Sequence, residues 1–137
     1  MQYAKGACQC KKVQFEVAMP PSWVGHCHCH QCQQIHGAAF VTWIGFRTAD
    51  YKIIDPKNLF KIYNSGKADR GFCSSCGSSF YFKRNKKSDA SDWKDFVYFT
   101  RTNIITNLGL EPQEHIFYGS RVSWISISDN LPKKDTV

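Results

Sequence analysis

Seven cysteines carry the chemistry that this sequence advertises, and they fall into three groups: Cys8-Gln9-Cys10, Cys27-His28-Cys29-His30-Gln31-Cys32 and Cys73-Ser74-Ser75-Cys76. Zinc binds thiolates tetrahedrally at about 2.3 Å, so its ligands must converge from adjacent turns. A C-x-x-C turn does this routinely, and Gly77 after the last pair relieves the backbone at such a knuckle. C-x-C is tighter but can also place two sulfurs on one ion when it lies in a turn. Cys8, Cys10, Cys73 and Cys76 therefore make a complete four-sulfur set. The middle cluster supplies three sulfurs, Cys27, Cys29 and Cys32, from six residues, and geometry favours a site of its own.

Four plus three uses every cysteine. The closed site is expected to be structural, holding the N-terminal strand against the middle of the chain. The three-ligand site keeps a fourth position for water or an incoming ligand, which marks a catalytic zinc. The expectation is thus two Zn²⁺ ions, one structural and one catalytic. The alternative is that His26, His28 or His30 closes the second site and makes it structural too. His30 is the better closer, because His28 points away from Cys27 and Cys29 if the run is locally extended.

The metal reading rests on compartment as well as spacing. The N-terminal stretch MQYAKGACQCKKVQFEV has no apolar run of signal-peptide length, and no segment approaches the roughly 18 apolar residues that span a bilayer. A cytoplasmic location is the default, and reducing conditions there disfavour structural disulfides. An odd count would also leave one cysteine over, whereas metal sites have no parity rule. The formal charge of +7 assumes neutral thiols. Seven thiolates and two zinc ions add seven negative and four positive charges and bring it to +4. The Lys and Arg residues are scattered, and the one dense run, Lys83 to Lys87, adjoins Asp89, Asp92 and Asp95 as a solvated loop does. Nucleic acid is therefore not the expected partner.

The elements that must position these cysteines are short strands. With 137 residues, 42% of them hydrophobic, the chain suits a single domain, expected over residues 1–128, with a polar tail over 129–137 of which Leu131–Val137 reads as loose. Val13, Phe15 and Val17 alternate with polar neighbours, and Ala39 to Phe46 is β-branched and aromatic enough for a buried strand. Further strands are expected at Tyr51–Ile54, Phe60–Tyr63, Ser79–Lys83, Phe96–Arg101 and His115–Tyr118. Helical periodicity is nearly absent. A short helix is expected at Gln31–His36, stopped by Gly37, with a weaker candidate at Ser120–Trp124. Residues 84–95 read as a polar loop. The fold class is mostly β, with cysteines on the turns.

The order G-x-C-x-C, then C-H-C-x-x-C with H-G shortly after, then F-C-x-x-C-G is specific. Here it reads Gly6 to Cys10, Cys27 to Cys32 with His36-Gly37, and Phe72 to Gly77, and Phe40–Gly45, Tyr63-Asn64-Ser65, Pro112, His115-Ile116 and Trp124 extend it. This pattern resembles the glutathione-dependent formaldehyde-activating enzymes, a family that also includes centromere protein V-like domains. The resemblance spans about residues 5–124. It implies an Mss4-like fold of several small coiled antiparallel sheets stapled by zinc. It implies structural ligands at Cys8, Cys10, Cys73 and Cys76 and catalytic ones at Cys27, Cys29 and Cys32. It also implies a carbon–sulfur lyase or synthase, of which S-hydroxymethylglutathione formation from formaldehyde and glutathione is the prototype.

The chemistry suits the donor set. Three thiolates on one zinc leave a net −1 site that favours a soft sulfur as fourth ligand over hydroxide, so a small glutathione-like thiol is the expected partner. Lys67, Arg70 and Arg121 are candidate partners for its carboxylates and His36 a candidate support for the site, while His115 reads first as a hydrogen-bonded structural histidine and second as a proton shuttle. The alternative is a non-catalytic zinc module that recognises protein or nucleic acid. A zinc deaminase is excluded by motif, because Phe72 rather than proline precedes Cys73. A methionine sulfoxide reductase of similar fold would need a cysteine outside the metal sites, and none remains.

Overall fold

Alternating burial organises the chain into two sheets. The computed structural model describes residues 2–137; Met1, where the expected domain begins, lies outside the described residues. Strand β1 (Tyr3–Ala7) pairs antiparallel with β2 (Gln14–Ala18), which pairs on its other side with β5 (Tyr51–Ile54). Phe15 and Val17 of β2 turn inward while Gln14 stays in solvent.

The second sheet has seven strands in the order β10 (His115–Ile116), β3 (Trp23–Cys27), β4 (Val41–Arg47), β9 (Phe96–Thr100), β8 (Ser79–Arg84), β7 (Ala68–Cys73) and β6 (Phe60–Asn64). All its neighbours are antiparallel except β10 and β3, which run parallel. The fold is thus mostly β, as expected.

One face of the large sheet meets the small one. Val24, Ile44, Phe46, Val97 and Phe99 are fully buried against Phe15, Val13 and Val17. The Phe15 ring stacks 4.1 Å from Phe99 and 5.4 Å from Phe80. Each such ring removes about 150–250 Å² from water, which makes this the larger of the two cores. The other face carries α1 (His30–His36) and a cluster around Trp43. Gly37 ends the helix in the left-handed conformation (φ +60), and its N–H bonds the Gln33 carbonyl, as its place in the sequence implied.

Several expectations change. Strands β3 and β7 had no sequence signal: Gly25 and His26 interrupt one, Arg70 and Gly71 the other, and cross-strand pairing rather than propensity makes them strands. No helix forms at Ser120–Trp124. A single 3₁₀ turn ends at Ser120, and Trp124 is 73% exposed, with no apolar face there to hold a helix. The C-terminal segment is not loose. His115 and Phe117 donate to the carbonyls of Pro132 and Thr136, and Lys134 donates back to His115. Among the described residues no helix is long and apolar enough to cross a membrane.

Candidate metal centres and the cavity beside them

Both cysteine sets assemble as their spacing implied. The sulfurs of Cys8, Cys10, Cys73 and Cys76 lie within 4.8 Å of one another, and so do those of Cys27, Cys29 and Cys32. A tetrahedral ion with 2.3 Å bonds needs sulfurs about 3.8 Å apart. Cys8 and Cys10 are 3.6 Å apart, Cys10 and Cys73 3.9 Å, and Cys27 and Cys32 3.6 Å. Each set therefore fits a zinc-sized ion.

The four-sulfur set joins the two sheets. Cys8 and Cys10 sit on the turn between β1 and β2, closed by Lys11 N–H to the Cys8 carbonyl. Cys73 ends β7, and Cys76 precedes Gly77, whose φ of +77 the turn requires. Cys8 and Cys73 are buried. Burial pushes the Cys8 thiol up to about 11, so without a cation it would stay protonated.

The three-sulfur set forms where β3 meets α1. Cys27 is the last residue of β3, Cys29 caps the helix with its sulfur accepting from the Cys32 N–H, and Cys32 lies in the first turn. Hydrogen bonds with Cys29 and Cys32, then burial, push Cys27 far up, while Cys29 is lowered because it accepts from both neighbours. Three sulfurs this close cannot all ionise without a cation. No histidine nitrogen joins either set among the described residues. His28 instead turns into the interior, and His30 is exposed on the cavity rim.

Arginine 70 is the site's closest cation. It projects from β7, is only 4% exposed, and its two terminal nitrogens lie 3.7 and 3.8 Å from the Cys32 sulfur. Its guanidinium stacks 4.9 Å over Phe82, and its Nε finds no partner. Lys67 also reaches the cavity, where it pairs with Asp89 of the 84–95 loop. Arg121 does not come to the site. It stacks 4.4 Å over Tyr118 and donates to that residue's carbonyl.

The other histidines serve the interior. His115 is 1% exposed, bonded through Nδ1 to His28 Nε2 and through Nε2 to Asp129, each at 2.8 Å, and does not line the cavity. Of its two readings, His115 thus takes the hydrogen-bonded structural one rather than that of a proton shuttle. His36 packs edge-on against Trp43, and burial lowers its pKa to about 4.

What sequence reasoning missed is the wall of the cavity, about 1010 Å³ in volume, into which the three-sulfur set opens. Strand register builds it. Trp23, Gly45, Tyr98, Phe82 and Arg70 lie directly opposite one another across β3, β4, β9, β8 and β7, and directly paired residues share a face. Two positions along their strands come Trp43, Phe96, Arg84 and Ala68, and four along β3 comes Cys27, all lining the cavity. The glycines make room for the rings. A Cβ on Gly25 would lie 2.1 Å from the Trp23 ring, and one on Gly45 would lie 2.8 Å from that of Tyr98.

Comparison with known proteins agrees with this architecture. The family described as glutathione-dependent formaldehyde-activating enzyme matches residues 3–120. An uncharacterized lyase of Schizosaccharomyces pombe is 27% identical over 78 residues, 57% of this chain, and the match spans 56% of that relative's length. A crystal structure of a Rhodobacter sphaeroides protein superposes with a TM-score of 0.59 over 79% of this chain and 97% of its own. At 21% identity that likeness speaks for the fold.

Proposed function

The chain belongs to the glutathione-dependent formaldehyde-activating enzyme family, and from that premise we propose that it is a zinc-dependent carbon–sulfur lyase or synthase acting on a glutathione-type thiol adduct. The observation that carries the reading is the contrast between the two sulfur sets. One is complete and lies in the joint between the sheets. The other stops at three ligands and faces a cavity large enough for a tripeptide-sized molecule.

A zinc ion held by Cys27, Cys29 and Cys32 would accept the substrate thiol as its fourth ligand, lower that thiol's pKa, and polarise a carbonyl oxygen as a Lewis acid. The chain's own residues do the rest. Cys29, fixed by the Cys32 N–H, and Cys27, fixed at the end of β3, hold the donor geometry before any ligand arrives. Arg70 offsets the negative charge of three thiolates and faces the region where an anionic thiol peptide would enter. Trp43 and Phe82 shield the sulfurs from water on the sheet side. The S. pombe relative described as a lyase is consistent with this reading. The prototype of the family chemistry would be S-hydroxymethylglutathione formation from formaldehyde and glutathione.

Zinc stoichiometry tests the proposal, measured with and without glutathione on the wild type and on Cys29→Ser. Two ions are expected in the wild type, the second exchangeable and responsive to glutathione, and one ion in the variant. A second ion that is tightly held and indifferent to every thiol tested would refute the catalytic reading.

A further inference from the structure

The cavity is more apolar than a thiol peptide needs. Trp23, Phe82, Phe96 and Tyr98 are each only partly buried and turn their rings into it. They interlock as one surface: Trp23 meets Tyr98 edge-on at 6.3 Å, Phe82 meets Tyr98 at 5.7 Å, and Phe96 stacks on Tyr98 at 6.1 Å. Trp43, 5.7 Å from Phe82, carries this surface to the sulfurs, since Cys27, Cys32 and Trp43 belong to one buried cluster against which Trp23, Phe82 and Tyr98 pack. An apolar wall thus begins at the three-sulfur set and runs outward along one face of the sheet.

A glutathione-type thiol has carboxylate, ammonium or amide groups on every part but its sulfur. Arg70, Arg84 and Arg47 already lie over Phe82, Tyr98 and Phe96. Pressing further polar groups against the remaining ring surface would cost free energy, so such a thiol leaves the wall unfilled. A one-carbon aldehyde leaves it unfilled too. The wall suits a flat apolar group carried on the carbon that bonds to sulfur.

Resting on the proposed thiol-adduct chemistry, we infer that this aromatic wall is the binding site for the carbon-side substituent of the adduct, and that the electrophile is an aldehyde bearing an aryl-sized apolar group. The reaction needs no further reactant. The thiol sulfur bonds to the carbonyl carbon, the C=O π bond opens, and the thiol proton ends on the oxygen. The lyase direction breaks the same C–S bond and returns the proton to sulfur.

S-benzylglutathione and S-methylglutathione separate the wall from the rest of the site, because both are stable thioethers with the same peptide and differ only in the carbon substituent. Binding of each to the zinc-loaded protein, followed by calorimetry, should favour the benzyl conjugate by about tenfold. Phe96→Ala and Phe82→Leu should each reduce that ratio about threefold or more, and Phe96, at the rim, keeps the test alive if the Phe82 variant does not fold. Equal affinities, a ratio unmoved in the folded variants, or no binding of either conjugate would overturn the inference. The thiol-adduct reading is judged separately, by the thiolate-to-metal absorption of the Co²⁺-substituted protein on adding free glutathione. A benzyl preference with a silent cobalt spectrum refutes that reading and keeps the wall. A responsive spectrum without the preference does the reverse.

Discussion

Replacing Arg70 by methionine should loosen the metal at the three-sulfur set and leave the four-sulfur set alone. The guanidinium nitrogens sit 3.7 and 3.8 Å from the Cys32 sulfur, and the side chain is 4% exposed, so water screens the pair little. A unit charge at that distance interacts with a thiolate by about 4–5 kcal/mol at an effective dielectric of 20. Burying the guanidinium consumes part of this, and charge-assisted hydrogen bonds typically contribute about 1.5–3 kcal/mol net. At about 1.4 kcal/mol per decade, the second zinc should bind roughly 10- to 100-fold more weakly in Arg70→Met. Methionine keeps the apolar stem that packs on Phe82 and removes an Nε that has no partner, so the fold should tolerate it. Competition against a chromophoric zinc chelator, titrated through both equivalents, reads the two sites separately. Arg70→Lys, which keeps the charge on a different head group, should fall between. An unchanged second affinity, or an equal loss at both sites, would refute the electrostatic role assigned to Arg70.

Cys73→Ala should lose one zinc equivalent and cooperative thermal unfolding, because the four-sulfur set joins the turn after β1 to the end of β7 and structural zinc contributes folding energy directly; a variant that melts like the wild type would contradict that role. Gly25→Ala should destabilise the fold by about 1–3 kcal/mol in urea titrations, since the new methyl would stand 2.1 Å from the Trp23 ring and force it off the sheet, and tryptophan emission should report the move. An unchanged midpoint and spectrum would show that the ring yields freely. Burial holds His36 neutral in the folded state down to about pH 4, whereas the unfolded chain takes up that proton near pH 6.5. The unfolded state thus binds more protons between about pH 4 and 6.5, so wild-type stability falls as pH drops through that window. Relative to His36→Phe, which does not titrate, the wild type should lose ground as pH falls from 6.5 to 4, and a gap constant with pH would contradict the buried neutral imidazole.

The local parts of this protein were legible without any coordinates. Sulfur spacing within a turn is a short-range property, so Cys8/Cys10, Cys73/Cys76 and the Cys27–Cys32 cluster declared which sulfurs could share an ion. Gly37 declared where α1 stops. Alternation placed β2, and apolar β-rich composition placed β4. The tertiary structure decided the rest, for a common reason. Strand β7 reads as Ala-Asp-Arg-Gly-Phe-Cys, which has no strand signal of its own, and only pairing with β6 and β8 makes it one. That pairing turns Arg70 from one basic residue among eighteen into the cation beside Cys32. Trp23, Phe82 and Tyr98 lie 16 to 75 residues apart in the chain, yet sheet register sets Tyr98 directly opposite Phe82 and, through Gly45, aligns it with Trp23. Ligand convergence within a turn is written in neighbouring letters. A cavity face depends on which strands become neighbours, and that depends on the burial of the whole chain.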